Sequence, residues 1–303
     1  MNRQNDLLIN IKNKHSDLSK GQKLLANYIL NNYEKAVFLT AARLGNVVGV
    51  SESTVVRFAT ILGYDGYPSM QKALEELVKN KLNSVQRMEV TFDRIHQEDI
   101  LKTVLHSDAD KIRMTLEEID ETAFKTAVDT ILKAKTIYIL GVRSSAPLAM
   151  FLNYYFNIIF DQVKLIQTSS SSELFEQLYR MKHNDVIIGI SFPRYSRSTI
   201  SALEFASKRN VNIITITDSY ASPLTAFTSC NLIARSDMAS IVDSLVAPMS
   251  VINALIVSVC MKKQGEVIRT FQSLEEIWKE YKVYRNDEEV NRENEVEQEQ
   301  KNE

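Results

Sequence analysis

Residues 39–67, LTAARLGNVVGVSESTVVRFATILGYDGY, constrain this chain more than any other stretch. They read as two short helices joined by a tight turn. Ala41, Leu44 and Val48 recur at helical spacing and can bury one stripe of a first helix. Gly49 supplies the permissive backbone that a tight turn needs, and Val50 plugs the angle between the helices. Ser51 is placed to cap a second helix, its hydroxyl accepting an orphan backbone N–H. That helix continues through Glu52 to Phe58 and stops near Gly63, a favourable residue for a helix C-terminus. Val55, Phe58, Ala59 and Leu62 form its buried stripe, which leaves Ser53, Thr54 and Arg57 on the outer face. A recognition helix offers such side chains to a major groove, so Ser51, Ser53, Thr54 and Arg57 are the candidate DNA-binding residues. An ordinary helical hairpin is the competing reading. Turn, cap and polar outer face together favour the helix-turn-helix.

The flanks extend this motif into a helical domain over 1–82. Residues 5–14 can form a first helix, and a second begins after Ser19 with Leu24, Leu25, Tyr28 and Ile29 on one face. Tyr64, Tyr67 and Met70 would cover the open end of the bundle, with a further helix over 69–82. Residues 1–80 hold 10 Lys/Arg against 7 Asp/Glu, an excess that tolerates a polyanion but is a weak signal for one. Residues 286–303 hold 8 acids against 2 bases and read as an acidic, disordered tail. The polar segment 83–99 lacks sustained periodicity and reads as a linker. A chain of 303 residues has room for a second, larger domain, placed at 100–285.

That second domain opens with a long helical pattern from Ile100, with Leu101, Val104, Leu105, Ile112, Met114 and Leu116 as its apolar points, then another over 123–134. From Thr136 the rhythm changes. Short apolar runs at 136–140, 163–166, 186–190, 211–216 and 231–234 alternate with helical stretches. β-branched runs of this kind imply βαβ units and a buried, mainly parallel sheet with helices on both faces, a doubly wound α/β domain. Ligands in such sheets sit beyond the carboxyl ends of the strands.

Two strand ends carry chemistry. After the first run come Gly141, Arg143, Ser144 and Ser145; after the third come Ser191, Arg194, Tyr195 and Ser196. Hydroxyls and backbone N–H groups at helix N-termini bind anions, and arginine adds a bidentate fork. Each serine alone reads better as a helix cap, and each arginine equally as the partner of a surface carboxylate. Two such loops on one sheet point to a phosphate cradle. A third hydroxyl cluster, 168–172, either joins that pocket or caps the helix that follows. Neither loop has the glycine spacing of a P-loop or a dinucleotide fingerprint, so no nucleotide cofactor is expected.

The remaining residue types exclude more than they suggest. Cys230 and Cys260 lack paired spacing, and the N-terminus does not resemble a signal, which fits structural thiols and a cytoplasmic location. His15, His96, His106 and His183 are scattered, so no metal site is expected. The longest apolar run, 245–261, is interrupted by Pro248, Ser250, Asn253 and Ser258 and falls short of the ~20 residues of a membrane span.

The segment GVSESTVVRFATILGYDGY resembles the recognition segment of the RpiR/MurR family of bacterial transcriptional regulators, and the α/β part resembles the sugar isomerase (SIS) domain this family carries. The resemblance covers roughly residues 1–280. It implies operator DNA and a phosphosugar effector as partners, a homodimer or homotetramer, and no catalysis. It also implies phosphate-binding roles for Ser145, Ser191 and Ser196. Pro193 stands where the family usually has serine, Arg194 where it has glycine, and Arg143 where it has a small residue. The rival is a phosphosugar isomerase or lyase with an accessory head, for which Glu173 and His183 are the nearest acid–base candidates.

Overall fold

The computed structural model describes residues 6–78, 99–167, 170–236 and 243–284. The acidic tail and the linker, Asp99 apart, lie outside these residues.

The head comprises α1 (Asp6–Lys14), α2 (Lys20–Ala36), α3 (Ala41–Val48), α4 (Glu52–Ile61) and α5 (Gly66–Val78). Ser19 starts α2 by donating its N–H to Gln22 Oε1 at 3.0 Å. The buried stripe of α2 is Gln22, Leu25, Ala26 and Ile29. Leu24, expected on that face, points outward instead. At 100° per residue the stripe is centred one position later than the apolar letters suggest. Leu44, Val55, Phe58, Ala59, Tyr67 and Met70 close the same core, with Leu7 and Ile11 from α1. The Tyr67 hydroxyl donates to Leu39 O at 2.6 Å, so its polar end is satisfied. α5 begins three residues earlier than expected, because Gly66 turns the chain at φ +77° and Pro68 sits in the first helical turn.

The second domain runs α6 (Ile100–Glu118), α7 (Glu121–Lys133), β1 (Ile137–Gly141), α8 (Ala146–Ile159), β2 (Val163–Leu165), α9 (Ser171–Leu178), β3 (Val186–Ile190), α10 (Arg197–Ser207), β4 (Asn212–Thr217), β5 (Asn231–Ile233), α11 (Val246–Lys262) and α12 (Gln264–Glu280). The strands pair in parallel in the order β2-β1-β3-β4-β5. β1 and β3 are buried throughout, and their alternate residues feed two layers. Ile137, Ile139, Ile188 and Ile190 pack with α7, α8 and α11; Tyr138, Leu140 and Ile187 pack with α9 and α10. Helices therefore cover both faces. The order reverses between β1 and β3, which opens a crevice beyond their carboxyl ends.

α6 departs from expectation. Leu101, Leu105, Ile112 and Leu116 form an outward stripe, while Lys111 and Thr115 are the buried positions. Polar partners explain the inversion. Arg235 N–H, just past β5, donates to Thr115 Oγ1 at 2.9 Å, and the Arg235 guanidinium pairs with Glu118. Ser244 Oγ donates to Asp108 Oδ1 at 2.6 Å, and Lys111 Nζ donates to Ser107 Oγ at 2.7 Å. α6 thus docks through hydrogen bonds on the two described stretches that flank residues 237–242.

Among the described residues, no single helix is long and apolar enough to cross a membrane, and no three His, Cys, Asp or Glu side chains cluster as metal ligands. Cys230 is buried, and desolvation pushes its thiol up to about 11, which suits a structural rather than a reactive role.

Candidate functional site

The reading helix is built as a capped turn. Thr40 Oγ1 accepts the Arg43 N–H to start α3, and Gly49 ends it in the left-handed region at φ +79°. Ser51 Oγ accepts the Thr54 N–H at 3.3 Å and starts α4. It also lies 2.9 Å from Ser53 Oγ and 2.8 Å from Thr54 Oγ1, so the three hydroxyls form one cluster at the helix start. The other end is held by α1: Lys14 Nζ donates to Ile61 O at 2.6 Å and Asn10 Nδ2 to Leu62 O at 2.8 Å. Ser51, Ser53 and Arg57 are exposed, whereas Thr54 is half-buried on the side of Gly21. The same outer face carries Val56 and Thr60, which the sequence reading did not single out.

The second site is a cavity of about 350 Å³ in the β1/β3 crevice, lined by Val142, Arg143, Ser144, Ser145, Ser191, Phe192, Pro193, Arg194, Ser196 and Asp243. This volume suits a small ligand. Six of the eight residues expected there line it. The competing cap reading can be tested directly. Neither Ser145 before α8 nor Ser196 before α10 makes a side-chain cap bond. Ser191 Oγ accepts the Ser196 N–H at 3.1 Å, which draws the β3 loop back over its own strand end. The Ser191 carbonyl accepts from Thr217 Oγ1 at 2.8 Å, so β4 anchors the loop as well. By contrast, Ser170 in the third hydroxyl cluster caps α9 by accepting the Glu173 N–H at 3.3 Å. The described part of that cluster does not line the cavity, and Thr168 and Ser169 lie outside the described residues.

Both loops hold an arginine in the left-handed region, Arg143 at φ 57° and Arg194 at φ 64°. Each conformation costs a non-glycine residue about 1–2 kcal/mol. Turns of this kind let successive backbone N–H groups converge on an anion. Two arginines, four serines and two helix N-termini therefore surround one small volume.

Two expected residues serve the site without lining it. Tyr195 turns away, and its hydroxyl donates to Asp218 Oδ1 at 2.8 Å. Burial, then the Asp218 carboxylate, hold the Tyr195 phenol well above its ordinary range, so it remains a neutral donor. The left-handed turn at Arg194 reverses the chain, which is why adjacent side chains part company. Gly141 acts through the space it leaves. A Cβ there would lie 2.7 Å from Ser145 O and 3.0 Å from Ala149 Cβ, so only glycine lets the loop fold onto the end of β1. Gly141→Ala is expected to destabilise this domain by about 1–3 kcal/mol. Urea unfolding followed by the fluorescence of Trp278, the one tryptophan, reports it.

Sequence reasoning missed Val142, Phe192 and Asp243 among the lining residues, and Asp243 is the charged one. It lies three residues before α11, with no strand end directly before it to mark it. The acid–base candidates fall elsewhere. His183 is exposed before the amino end of β3, opposite the cavity, and Glu173 on α9 does not line it.

Comparison with known proteins agrees with both halves. Residues 5–81 match the helix-turn-helix domain of the rpiR family, and residues 130–258 match the SIS domain. An uncharacterised HTH-type transcriptional regulator of Clostridium perfringens is 26% identical over 219 residues, 72% of this chain and 77% of its own. Another from Caldanaerobacter subterraneus is 22% identical over 282 residues, 90% of this chain and 96% of its own. The sugar isomerase domain of an RpiR transcription factor from Sphaerobacter thermophilus superposes with a TM-score of 0.56 at 25% identity, over 59% of this chain and 99% of that one. The Vibrio vulnificus NanR protein, complexed with ManNAc-6P, shares the fold with a TM-score of 0.55 at 22% identity, over 92% of this chain and all of that one. With its helix-turn-helix head and its parallel SIS sheet, this chain belongs to the RpiR family of transcriptional regulators.

Proposed function

We propose that the chain regulates transcription by binding operator DNA through α4 while its SIS domain senses a phosphorylated sugar. The observation that carries this reading is the small cavity between the β1 and β3 loops, where Ser145 and Ser196 are not used as caps and two arginines are present. Ser144, Ser145, Ser191 and Ser196 would hold the phosphate oxygens, with Arg143 and Arg194 supplying charge. The phosphosugar in NanR supports the same ligand class. Catalysis is not part of this function, in keeping with the regulator names of the relatives and with His183 and Glu173 not being among the described lining residues of the cavity.

The protein works in the cytoplasm as a homodimer or homotetramer. The outward stripe of Leu101, Leu105, Ile112 and Leu116 supports pairing with a second copy. A two-fold dimer would place its reading helices on half-sites roughly 34 Å apart, and the effector would act by favouring one arrangement of the pair.

The direct test is a thermal-shift screen of the full chain against phosphosugars, the matching free sugars and inorganic phosphate. A ligand at 100 times its Kd adds about 2.7 kcal/mol of stability. A shift with a phosphosugar but not with its free sugar is the expected result. No shift with any phosphorylated ligand would remove the sensing role. On the DNA side, Arg57→Ala is expected to weaken operator binding by about 1–3 kcal/mol, as for an arginine reading a guanine. A mobility-shift titration at fixed salt measures this, and unchanged affinity in a folded variant would take Arg57 out of the interface.

A further inference from the structure

Among the described residues that line it, the cavity has one acid beside its anion-binding groups. Asp243 lines the same volume of about 350 Å³ as Arg143, Arg194 and the four serines. Its origin separates it from the cradle: the phosphate-binding loops leave β1 and β3, whereas Asp243 leads into α11 after β5, the far edge strand. The backbone that carries it is anchored at the next residue. The neighbouring Ser244 donates its hydroxyl to Asp108 on α6 at 2.6 Å, and its carbonyl accepts the Ser236 hydroxyl at 2.9 Å. An ionised carboxylate is an acceptor-only group. It accepts hydrogen bonds from a pair of hydroxyls or from an ammonium group, and it repels a second anion inside a confined, weakly screened volume.

Building on the phosphosugar reading, we propose that Asp243 determines specificity at this site. It selects sugar phosphates whose far end is a neutral polyol or a cationic amino sugar, and it rejects sugar bisphosphates and phosphorylated sugar acids. The phosphate occupies the β1/β3 cradle, and the sugar's hydroxyl or ammonium groups meet Asp243.

Glucose 6-phosphate and 6-phosphogluconate share a carbon skeleton and a phosphate but differ in charge at C1, so they form a matched pair of probes. Calorimetric titration of the full chain is expected to favour the aldose phosphate at least tenfold. Asp243→Asn, nearly isosteric, is expected to narrow that ratio to threefold or less by improving binding of the acid. Asp243→Glu, which keeps the charge, is expected to retain the direction of preference, as a merely structural role would not require. Inorganic phosphate is expected to gain less from Asp243→Asn than 6-phosphogluconate does. An unchanged ratio in Asp243→Asn, or a wild type that prefers the sugar acid, overturns the inference while the sensing role stands. Binding of inorganic phosphate with neither sugar phosphate also overturns it and leaves only an anion cradle. Failure of all three probes to bind wild type overturns the inference together with the phosphosugar reading.

Discussion

Replacing Asp108 by alanine is expected to destabilise the SIS domain by about 3 kcal/mol, the lower end of the range for breaking a buried charge pair from one side. Lys111 is only 5% exposed along its side chain, and the Asp108 carboxylate lies 3.8 Å from its ammonium. Without that carboxylate the ammonium keeps, among the described residues, the neutral Ser107 oxygens, and the Ser244 hydroxyl loses its acceptor. The cost should come mainly from the stranded charge. Asp108→Ala combined with Lys111→Met should therefore recover most of the stability, to within about 1 kcal/mol of wild type, because apolar side chains often replace buried pairs without loss. Urea unfolding monitored at Trp278 supplies the cycle. A loss below about 1 kcal/mol in the single variant would mean that Lys111 reaches water and that α6 is held by other contacts. The same experiment bears on the pocket, since Ser244 is the residue next to Asp243.

The inversion of α6 also marks the boundary of what the sequence discloses. Strands β1 and β3 are legible because unbroken β-branched runs suit a sheet covered on both faces. Once they are placed, the rule that ligands sit beyond the strand ends leads to the two loops, and the family resemblance singles out Ser145, Ser191 and Ser196 within them. The α4 stripe is legible for a similar reason, since turn, cap and periodicity agree at Gly49, Ser51, Val55 and Phe58. α6 is different. Its apolar letters mark a coherent face, but which face turns inward depends on the groups it meets, and those are the Arg235 backbone N–H and Ser244, more than a hundred residues away. Tyr195 is hidden by backbone: a single left-handed residue at Arg194 reverses the direction of the next side chain, and an arginine gives no hint of positive φ. Asp243 is hidden by its surroundings, because neither periodicity nor a strand end singles it out. Local rules recover elements and their ends, while side-chain direction at loops needs the assembled sheet.

The two strained arginines lead to the largest expected effect on binding. Arg143→Gly with Arg194→Gly is expected to make the domain more stable and the sensor nearly blind. Each left-handed arginine costs about 1–2 kcal/mol that glycine would not, and glycine returns part of that gain through the extra freedom of the unfolded chain, about 0.5–1 kcal/mol. The net gain is about 1 kcal/mol for the pair. Against it stands the loss of two guanidinium groups from the cavity, where hydrogen bonds to charged groups are worth about 1.5–3 kcal/mol each. Even with incomplete additivity, phosphosugar affinity should fall at least ~100-fold, since each 1.4 kcal/mol is a factor of ten. Calorimetric titration for affinity and Trp278-monitored urea unfolding for stability separate the two effects. Loss of affinity without gain of stability would mean that the arginines bind but that their backbone is not strained. Gain of stability with unchanged affinity would mean that the serines and the helix N-termini hold the phosphate alone, and that Pro193, Arg143 and Arg194 altered the cradle without taking over its work. Glycine at position 194 restores the residue that the family resemblance leads one to expect there. The experiment therefore also asks whether this chain exchanged backbone ease for charge, with a measurable loss of stability in return for a tighter grip on the anion.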